Sequence, residues 1–181
     1  GDGLASAVLE GFDRADARWF AVLDGDLQHP PERVRNLVGR LELGADLAVG
    51  SRHVDGGDVV GDWPAHRRVI SRGADALARV AVPTARKLSD PMRGFCAVDA
   101  ERVEAVRDRL DPCGYKILLE LCARAPVAEI HEVPYRFRER AGVESNLGPG
   151  EYARYVRHLA RLSIPARRES VQVVGAEVGD V

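Results

Sequence analysis

The chain has 181 residues, 45% of them hydrophobic and 30% charged, which is typical of a single globular domain with a real core. The formal net charge of −2 provides no global field that would draw the chain to nucleic acid or anionic lipid. Three cysteines without a CxxC pair argue against a disulfide framework or a zinc site, and we expect Cys96, Cys113 and Cys122 to be core residues.

Helices and strands are predicted to alternate along the chain. Apolar residues at helical spacing predict helices over residues 4–16, 31–43, 64–82, 100–110, 115–125 and 151–162. Short apolar runs predict strands over residues 18–23, 45–51, 94–99 and 127–137, with loops at 52–62 and 138–150. This alternation indicates an α/β sheet, which binds ligands at the carboxyl ends of its strands. We assign residues 1–162 to one domain and residues 163–181 to a C-terminal tail.

The stretch "LDGDLQHPPE" at residues 23–32 places polar chemistry directly after a predicted strand. Asp24 and Asp26 lie on a turn that Gly25 permits, and the amide of Gln28 follows two residues later. Two carboxylates and an amide oxygen form a hard-oxygen set suited to Mg²⁺ or Mn²⁺. A bare DxD is equally compatible with a surface turn that caps the next helix, so its neighbours decide between the two interpretations.

Four further residues carry open alternatives. We expect His29 to be a turn residue rather than a ligand, and Trp63 to pack under the 52–62 loop rather than to contact lipid. Asp90, in "SDPMRGF", either reaches the site or forms bonds within its own loop. Glu120 stands among leucines and is either a buried polar partner or an exposed helix position. Pro134 suggests that the last predicted strand lies at a sheet edge.

Eight motifs then occur in a fixed order from residue 24 to residue 148: "DGDLQHPPE", "GADLAVGSR", "GGDVVGDW", "RRVISR", "SDPMRGF", "GYKILLE", "EVPYRFRER" and "GVESNLG". As a set they resemble glycosyltransferase family 2, and within it the dolichol-phosphate mannose synthases. The resemblance covers about residues 3–162. It implies an α/β GT-A (Rossmann-like) fold, a nucleotide-sugar donor and a polyprenyl-phosphate acceptor.

The resemblance also implies roles for individual residues. Asp24, Asp26 and Gln28 would bind Mg²⁺ or Mn²⁺, and Arg52 of "GSR" would act beside the two aspartates, facing the acceptor and the diphosphate. Contacts to phosphate are implied for Arg67, Ser71, Arg140 and Ser145. The family usually has DAD where this chain has Asp24-Gly25-Asp26. The spacing of the GxS-type loop at residues 142–145 is one residue longer than in the family.

The expected activity is transfer of a sugar, with mannose from GDP-mannose as the leading donor, onto a polyprenyl or dolichyl phosphate with inversion. Such an acceptor is an anionic phosphate monoester, so it needs cations to position it rather than a strong base. The expected location is peripheral, at the cytoplasmic face of a membrane, with no nucleic-acid partner. The alternatives are another family 2 transferase using UDP-glucose or UDP-N-acetylhexosamine, and a non-catalytic remnant.

The first residues of the chain also bear on the expected activity. "GDGLASAV" aligns with the helix just before the DxD strand of the family. The resemblance therefore implies an N-terminally incomplete GT-A domain without the strands that hold the nucleobase and ribose. We expect residues 1–181 alone to keep the acceptor half of the site without turning over.

Overall fold

The computed structural model describes residues 4–26, 28–59, 65–92, 94–112, 116–137 and 149–163. Within these ranges the α-helices are α1 (Leu4–Arg14), α2 (Val34–Glu42), α3 (Ala65–Ala81), α4 (Ala100–Glu104), α5 (Ile117–Arg124) and α6 (Pro149–Ser163). The strands are β1 (Trp19–Val22), β2 (Leu47–Ser51), β3 (Asp58–Val59), β4 (Cys96–Asp99), β5 (Ile130–Pro134) and β6 (Arg136–Phe137). Short 3₁₀ turns occupy Pro31–Arg33, Pro83–Lys87 and Arg107–Arg109.

Four strands form the central sheet in the order β1-β4-β2-β5. Strand β2 runs parallel to β5, whereas β4 runs antiparallel to both β1 and β2. In this register Val49 lies opposite both Cys96 and Glu132. Because β4 runs the opposite way, the residues that precede it lie at the same end of the strands as the residues that follow β1 and β2. The polar residues of the candidate site lie at this end of the strands, which we call the sheet edge.

Alternate residues of the inner strands serve two separate apolar layers. Leu47 and Val49 point into a large cluster with residues of α1, α3, α5 and α6, whereas Ala48 points into a second cluster with α2. All five residues of β2 are buried, as expected for a strand covered on both faces. Such three-layer packing is the usual architecture of an α/β domain. It confirms the predicted fold class.

The predicted 52–62 loop is only partly a loop. Asp58 and Val59 form β3, which pairs in parallel with Arg136 and Phe137 of β6. The predicted strand over 127–137 is likewise two strands in two sheets, with Tyr135 between them and residues 127–129 outside both. Two-residue strands show no measurable period in the sequence, so neither feature could be predicted from alternation.

The other elements differ from prediction mainly at their ends. The helix predicted over 31–43 begins with a 3₁₀ turn, in which Pro31 occupies the first position, where its missing N–H costs nothing. The helix predicted over 100–110 ends at Glu104 and is followed by the 3₁₀ turn at Arg107–Arg109. Strand β5 lies at an edge of the sheet formed by the described residues, as Pro134 suggested.

Two of the three cysteines are confirmed as core residues. Cys96 and Cys122 are buried, and burial raises the pKa of each thiol to about 12. Cys113 and Trp63 lie outside the described residues. Among the helices that the structure describes, none is both long enough and apolar enough to cross a membrane.

Candidate active site

The acidic turn after β1 is shaped by two bonds to its own backbone. The Asp24 N–H donates to Nδ1 of His29 at 3.1 Å, and the Gln28 N–H donates to Oδ1 of Asp26 at 3.0 Å. The second bond is an Asx turn, in which a carboxylate replaces a backbone acceptor. The Asp24 side chain remains 41% exposed. The turn therefore faces solvent on one side and is held by side-chain bonds on the other.

His29 lies behind this turn and is only 1% exposed. Its ring stacks on Phe95, with centroids 5.1 Å apart and planes at 11°, and meets the edges of Tyr135 and Phe137. These three aromatic residues come from the loop before β4 and from the β5–β6 segment. We call His29, Phe95, Tyr135 and Phe137 the aromatic wall. The prediction that His29 is a turn residue is confirmed, and the residue is also buried.

The aromatic wall extends to Arg52, which follows β2. The Arg52 guanidinium lies over the Phe137 ring, 5.5 Å from its centroid. Its Nε donates to Oδ2 of Asp90 at 2.6 Å and its Nη2 to Oδ1 at 3.2 Å. The side chains are 2% and 0% exposed. Asp90 therefore does reach the site, where it fixes Arg52 in a buried, two-pronged ion pair.

The loop before β4 is itself fixed on both sides. The amide and hydroxyl of Ser89 both donate to Oε1 of Glu132 on β5, at 3.0 and 2.8 Å. The Ser51 and Ser89 hydroxyls are 2.6 Å apart. Because Ser89 uses its proton on Glu132, Ser51 donates to Ser89. Arg79 of α3 donates to the carbonyl oxygens of Leu88 and Ser89 at 3.1 and 2.7 Å. This network holds Asp90 in register with the end of β2.

The structure brings together some of the predicted site residues. Asp24, Asp26 and Gln28 share the acidic turn, and the loop before β4 links that turn to Arg52: Phe95 contacts His29, whereas Asp90 binds Arg52. Ser71 lies half-buried on α3. Arg67 is also on α3, but its side chain lies outside the description. Arg140 and Ser145 fall in the undescribed range 138–148, so their placement stays a prediction.

Sequence reasoning missed Glu132 and the positioning of Arg52 by Asp90. Glu132 is half-buried on a short strand whose burial does not alternate, and a carboxylate at such a position gives no sign of its partner. The signal for Asp90 was its place in "SDPMRGF", directly before a strand whose direction the sequence does not state.

Two sets of side chains have the chemistry of a cation site. Asp24, Asp26 and Gln28 offer oxygen donors on a half-exposed turn, which fits Mg²⁺ or Mn²⁺. In the described part of the chain, His53, Asp75 and Asp90 also bring potential ligand atoms within 4.8 Å of one another. Arg52 binds both oxygens of Asp90, and its positive charge opposes a cation there. The acidic turn therefore fits a cation better.

A buried charged cluster lies away from this edge, between α5 and α6. Glu120 is 1% exposed, with Arg124 Nε donating to its Oε2 at 2.5 Å and His158 Nε2 lying 3.5 Å from its Oε1. Burial raises the pKa of Glu120, opposed by Arg124, and burial lowers the pKa of His158. The open question on Glu120 is thus answered: it is a buried polar partner that joins two helices.

Comparison with known proteins shows the family to which the chain belongs. Residues 1–101 match the family described as Glycosyl transferase family 2. The undecaprenyl-phosphate mannosyltransferase of Micrococcus luteus is 32% identical over 177 residues, which cover 94% of this chain and 71% of that protein. The chain belongs to glycosyl transferase family 2.

Other relatives of this family 2 chain are more similar but longer. The dolichol-phosphate mannosyltransferase of Pyrococcus furiosus is 44% identical over 160 residues, covering 88% of this chain and 45% of that protein. The chain thus spans less than half the length of that relative.

The fold is also found among solved structures. Glucosyl-3-phosphoglycerate synthase from Mycobacterium tuberculosis, in complex with Mn²⁺, UDP-glucose and phosphoglyceric acid, matches with a TM-score of 0.57 and 19% identity. The match covers 91% of this chain and 56% of that chain. The predicted GT-A glycosyltransferase fold and the predicted family are both confirmed.

Proposed function

We propose that this family 2 chain takes part in transferring a sugar, with mannose from GDP-mannose as the leading candidate, onto a polyprenyl or dolichyl phosphate. The observation that carries the proposal is the half-exposed Asp24–Asp26 turn, held from behind and linked through one loop to Arg52. The names of the similar proteins from Pyrococcus furiosus and Micrococcus luteus support mannose as the sugar and a lipid phosphate as the acceptor.

In the proposed mechanism the acidic turn receives the donor. Asp24, Asp26 and Gln28 would hold Mg²⁺ or Mn²⁺, which when bound neutralises charge on the leaving nucleoside diphosphate. Arg52 lies at the same sheet edge in its two-pronged ion pair with Asp90. Asp90 balances the charge of the guanidinium and holds it in one orientation, so little reorganisation of this group is needed when negative charge develops.

The acceptor side needs positioning rather than deprotonation. A phosphate monoester is anionic at neutral pH, so its oxygen attacks the anomeric carbon without a strong general base. We assign Arg67, Ser71, Arg140 and Ser145 to binding this phosphate. Arginine is suited to the task because its planar fork binds two phosphate oxygens at once. A single displacement inverts the anomeric centre, so an α-linked donor gives a β-linked lipid product.

A lipid acceptor also requires contact with a membrane surface. Two helices of the structure have suitable outer faces: α3 exposes Val69, Ile70, Leu77 and Val80, and α6 exposes Tyr152 and Val156. The same two helices carry seven arginines and two carboxylates, although the whole chain has a net charge of −2. Exposed apolar residues among cations favour peripheral binding to an anionic bilayer. We propose such contact at the cytoplasmic face.

The test is a transfer assay on the full-length gene product. Purified protein is incubated with Mn²⁺, a polyprenyl phosphate and, in separate reactions, GDP-mannose, UDP-glucose or UDP-N-acetylglucosamine. We expect a β-linked mannosyl lipid from GDP-mannose alone. Asp26→Asn should lower turnover by at least about 100-fold, as for loss of one key transition-state contact. Product from a UDP-sugar alone would replace the proposed donor, and absence of product from all three would contradict catalysis.

A further inference from the structure

We propose that His29 is a positioning residue for the cation-binding turn, and that it acts by fixing the Asp24 backbone rather than by binding the cation. This inference rests on the proposed function, which places Mg²⁺ or Mn²⁺ on Asp24, Asp26 and Gln28. It assigns a role to a residue for which the sequence predicted only a position in the turn.

The first support is the bond itself. The Asp24 N–H donates to Nδ1 of His29 at 3.1 Å, which closes a ring of backbone from residue 24 to residue 29. All three proposed donors lie within that ring. An imidazole nitrogen accepts a hydrogen bond only when it carries no proton, so the ring proton of neutral His29 lies on Nε2. The lone pair of Nδ1 is therefore used by Asp24 and is not offered to a cation.

The second support is the rigidity of the ring. Phe95 stacks on His29 at 5.1 Å, while Tyr135 and Phe137 approach edge-on, with centroids at 5.6 and 6.1 Å. The imidazole is only 1% exposed, so it is enclosed within these contacts. Stacked and edge-on contacts of this kind fix ring orientation as well as burying area. The acceptor atom is thus held in place before any ligand arrives.

The third support is the complementary bond on the far side of the turn. Asp26 Oδ1 accepts the Gln28 N–H, so the inner part of the turn is fixed by one of its own carboxylates. With Asp24 anchored by His29, both ends of the donor set have a defined position. Residues that orient the direct ligands of a metal in this way typically change its affinity by about 10- to 100-fold when mutated.

Two substitutions separate the bond from the ring. His29→Phe keeps an aromatic ring in the wall but removes the acceptor. His29→Asn keeps an acceptor close to the Nδ1 position but removes the ring. A residue that only packs would be disturbed more by Asn. A residue that positions Asp24 through its acceptor atom would be disturbed more by Phe.

The experiment measures two properties of the full-length gene product and its variants. One is the exchange rate of the Asp24 amide proton by NMR without metal. The other is Mn²⁺ binding in the presence of GDP, followed by the loss of the free-Mn²⁺ signal in electron paramagnetic resonance. Asp26→Asn serves as the control that removes a proposed ligand, and thermal unfolding reports folding of each variant.

We expect His29→Phe to accelerate Asp24 exchange and to weaken Mn²⁺ binding, each by about 10-fold or more, while His29→Asn stays close to the parent in both. If the parent binds Mn²⁺ and His29→Phe leaves either Asp24 exchange or Mn²⁺ binding unchanged, the positioning role is overturned. The metal site of the proposed function would then still stand. A parent that binds no Mn²⁺ would overturn the metal site of the proposed function, and the positioning role with it.

Discussion

Arg52 and Asp90 form a two-pronged ion pair in which neither side chain is more than 2% exposed. Each charge is removed from water, so each depends on the other for compensation. The pair joins the end of β2 to the loop before β4. Its strength therefore bears both on the stability of the sheet edge and on the charge that the site presents.

Removing the negative partner should be costly. We expect Asp90→Asn to lower the free energy of unfolding by about 3–5 kcal/mol, because it leaves the Arg52 guanidinium buried without a countercharge. Urea unfolding measures the change. The matched control is Glu10→Gln, which breaks an exposed pair with Arg14 and should cost less than about 1 kcal/mol. Equal effects of the two substitutions would show that burial does not strengthen the dependence of Arg52 on Asp90.

The sheet edge also depends on a glycine. A Cβ on Gly57 would lie 2.8 Å from the Ser51 carbonyl oxygen and 2.8 Å from the Arg52 carbonyl carbon, which are backbone atoms that cannot move aside. We expect Gly57→Ala to destabilise the protein by about 1–3 kcal/mol. Gly73→Ala, on α3 with nothing within 4 Å of its Cβ, should instead stabilise by up to about 1 kcal/mol. Urea unfolding of both variants tests the contrast, which a stabilising Gly57→Ala would contradict.

The acceptor residues predict a difference between arginine and lysine. If Arg67 and Arg140 bind the lipid phosphate through their forks, a lysine at either position retains the charge but loses the second hydrogen bond. Transfer at low polyprenyl phosphate should fall by about 10-fold or more in each variant. Arg72→Lys, at an exposed position of the same α3, should stay within about twofold of the parent. Full activity of both Arg67→Lys and Arg140→Lys would remove the fork from the mechanism.

His158 should make stability depend on pH. Burial lowers the pKa of His158 below its ordinary value of 6.5, so below that pH the unfolded chain binds more protons than the folded one. Stability is then lost as the pH falls from about 7 through 6.5 and on toward the folded pKa. The charged groups around His158 are Glu120, Asp111, Arg124 and Arg161.

The measurement compares unfolding free energies of the parent and His158→Gln at several pH values. The raised pKa of Glu120 acts with the opposite sign. Its carboxyl binds a proton more tightly in the folded protein, so the stability that it contributes is lost as the pH rises from 4.5. Because His158 Nε2 lies 3.5 Å from Glu120 Oε1, replacing His158 also alters this contribution, so the difference between the two proteins reports the coupled pair. We expect the parent to lose more stability than the variant on acidification. Parallel pH curves would rule out the effect.

The sequence predicted the acidic turn well because the relevant rule is local. Asp24 and Asp26 follow an apolar run, and side chains after a parallel strand reach the ligand edge of the sheet. The ion pair of Arg52 with Asp90 could not be predicted in the same way. Asp90 precedes its strand, and it reaches the same edge only because β4 runs antiparallel to β1 and β2.

The environment of His29 was equally out of reach. Its partners Phe95, Tyr135 and Phe137 are separated from it by much of the chain, and each alone is an ordinary apolar position. What the sequence indicated correctly was that His29 belongs to the turn. The cage of rings that gives the turn its shape is a property of tertiary packing.

The pairing of the strands has a consequence for how the molecule folds. Trp19 pairs with Asp99, Leu47 with Val98 and Ile130, and Asp58 with Arg136, so each of the described ladders joins segments far apart along the chain. Loops of this size must close before any ladder forms, which places the chain among slow-folding topologies. During synthesis the Asp24 turn leaves the ribosome long before Tyr135 and Phe137. The nascent chain must therefore keep β1 and β2 unpaired until β4 has been made, and β3 unpaired until β6 has been made. In this interval it is most exposed to aggregation.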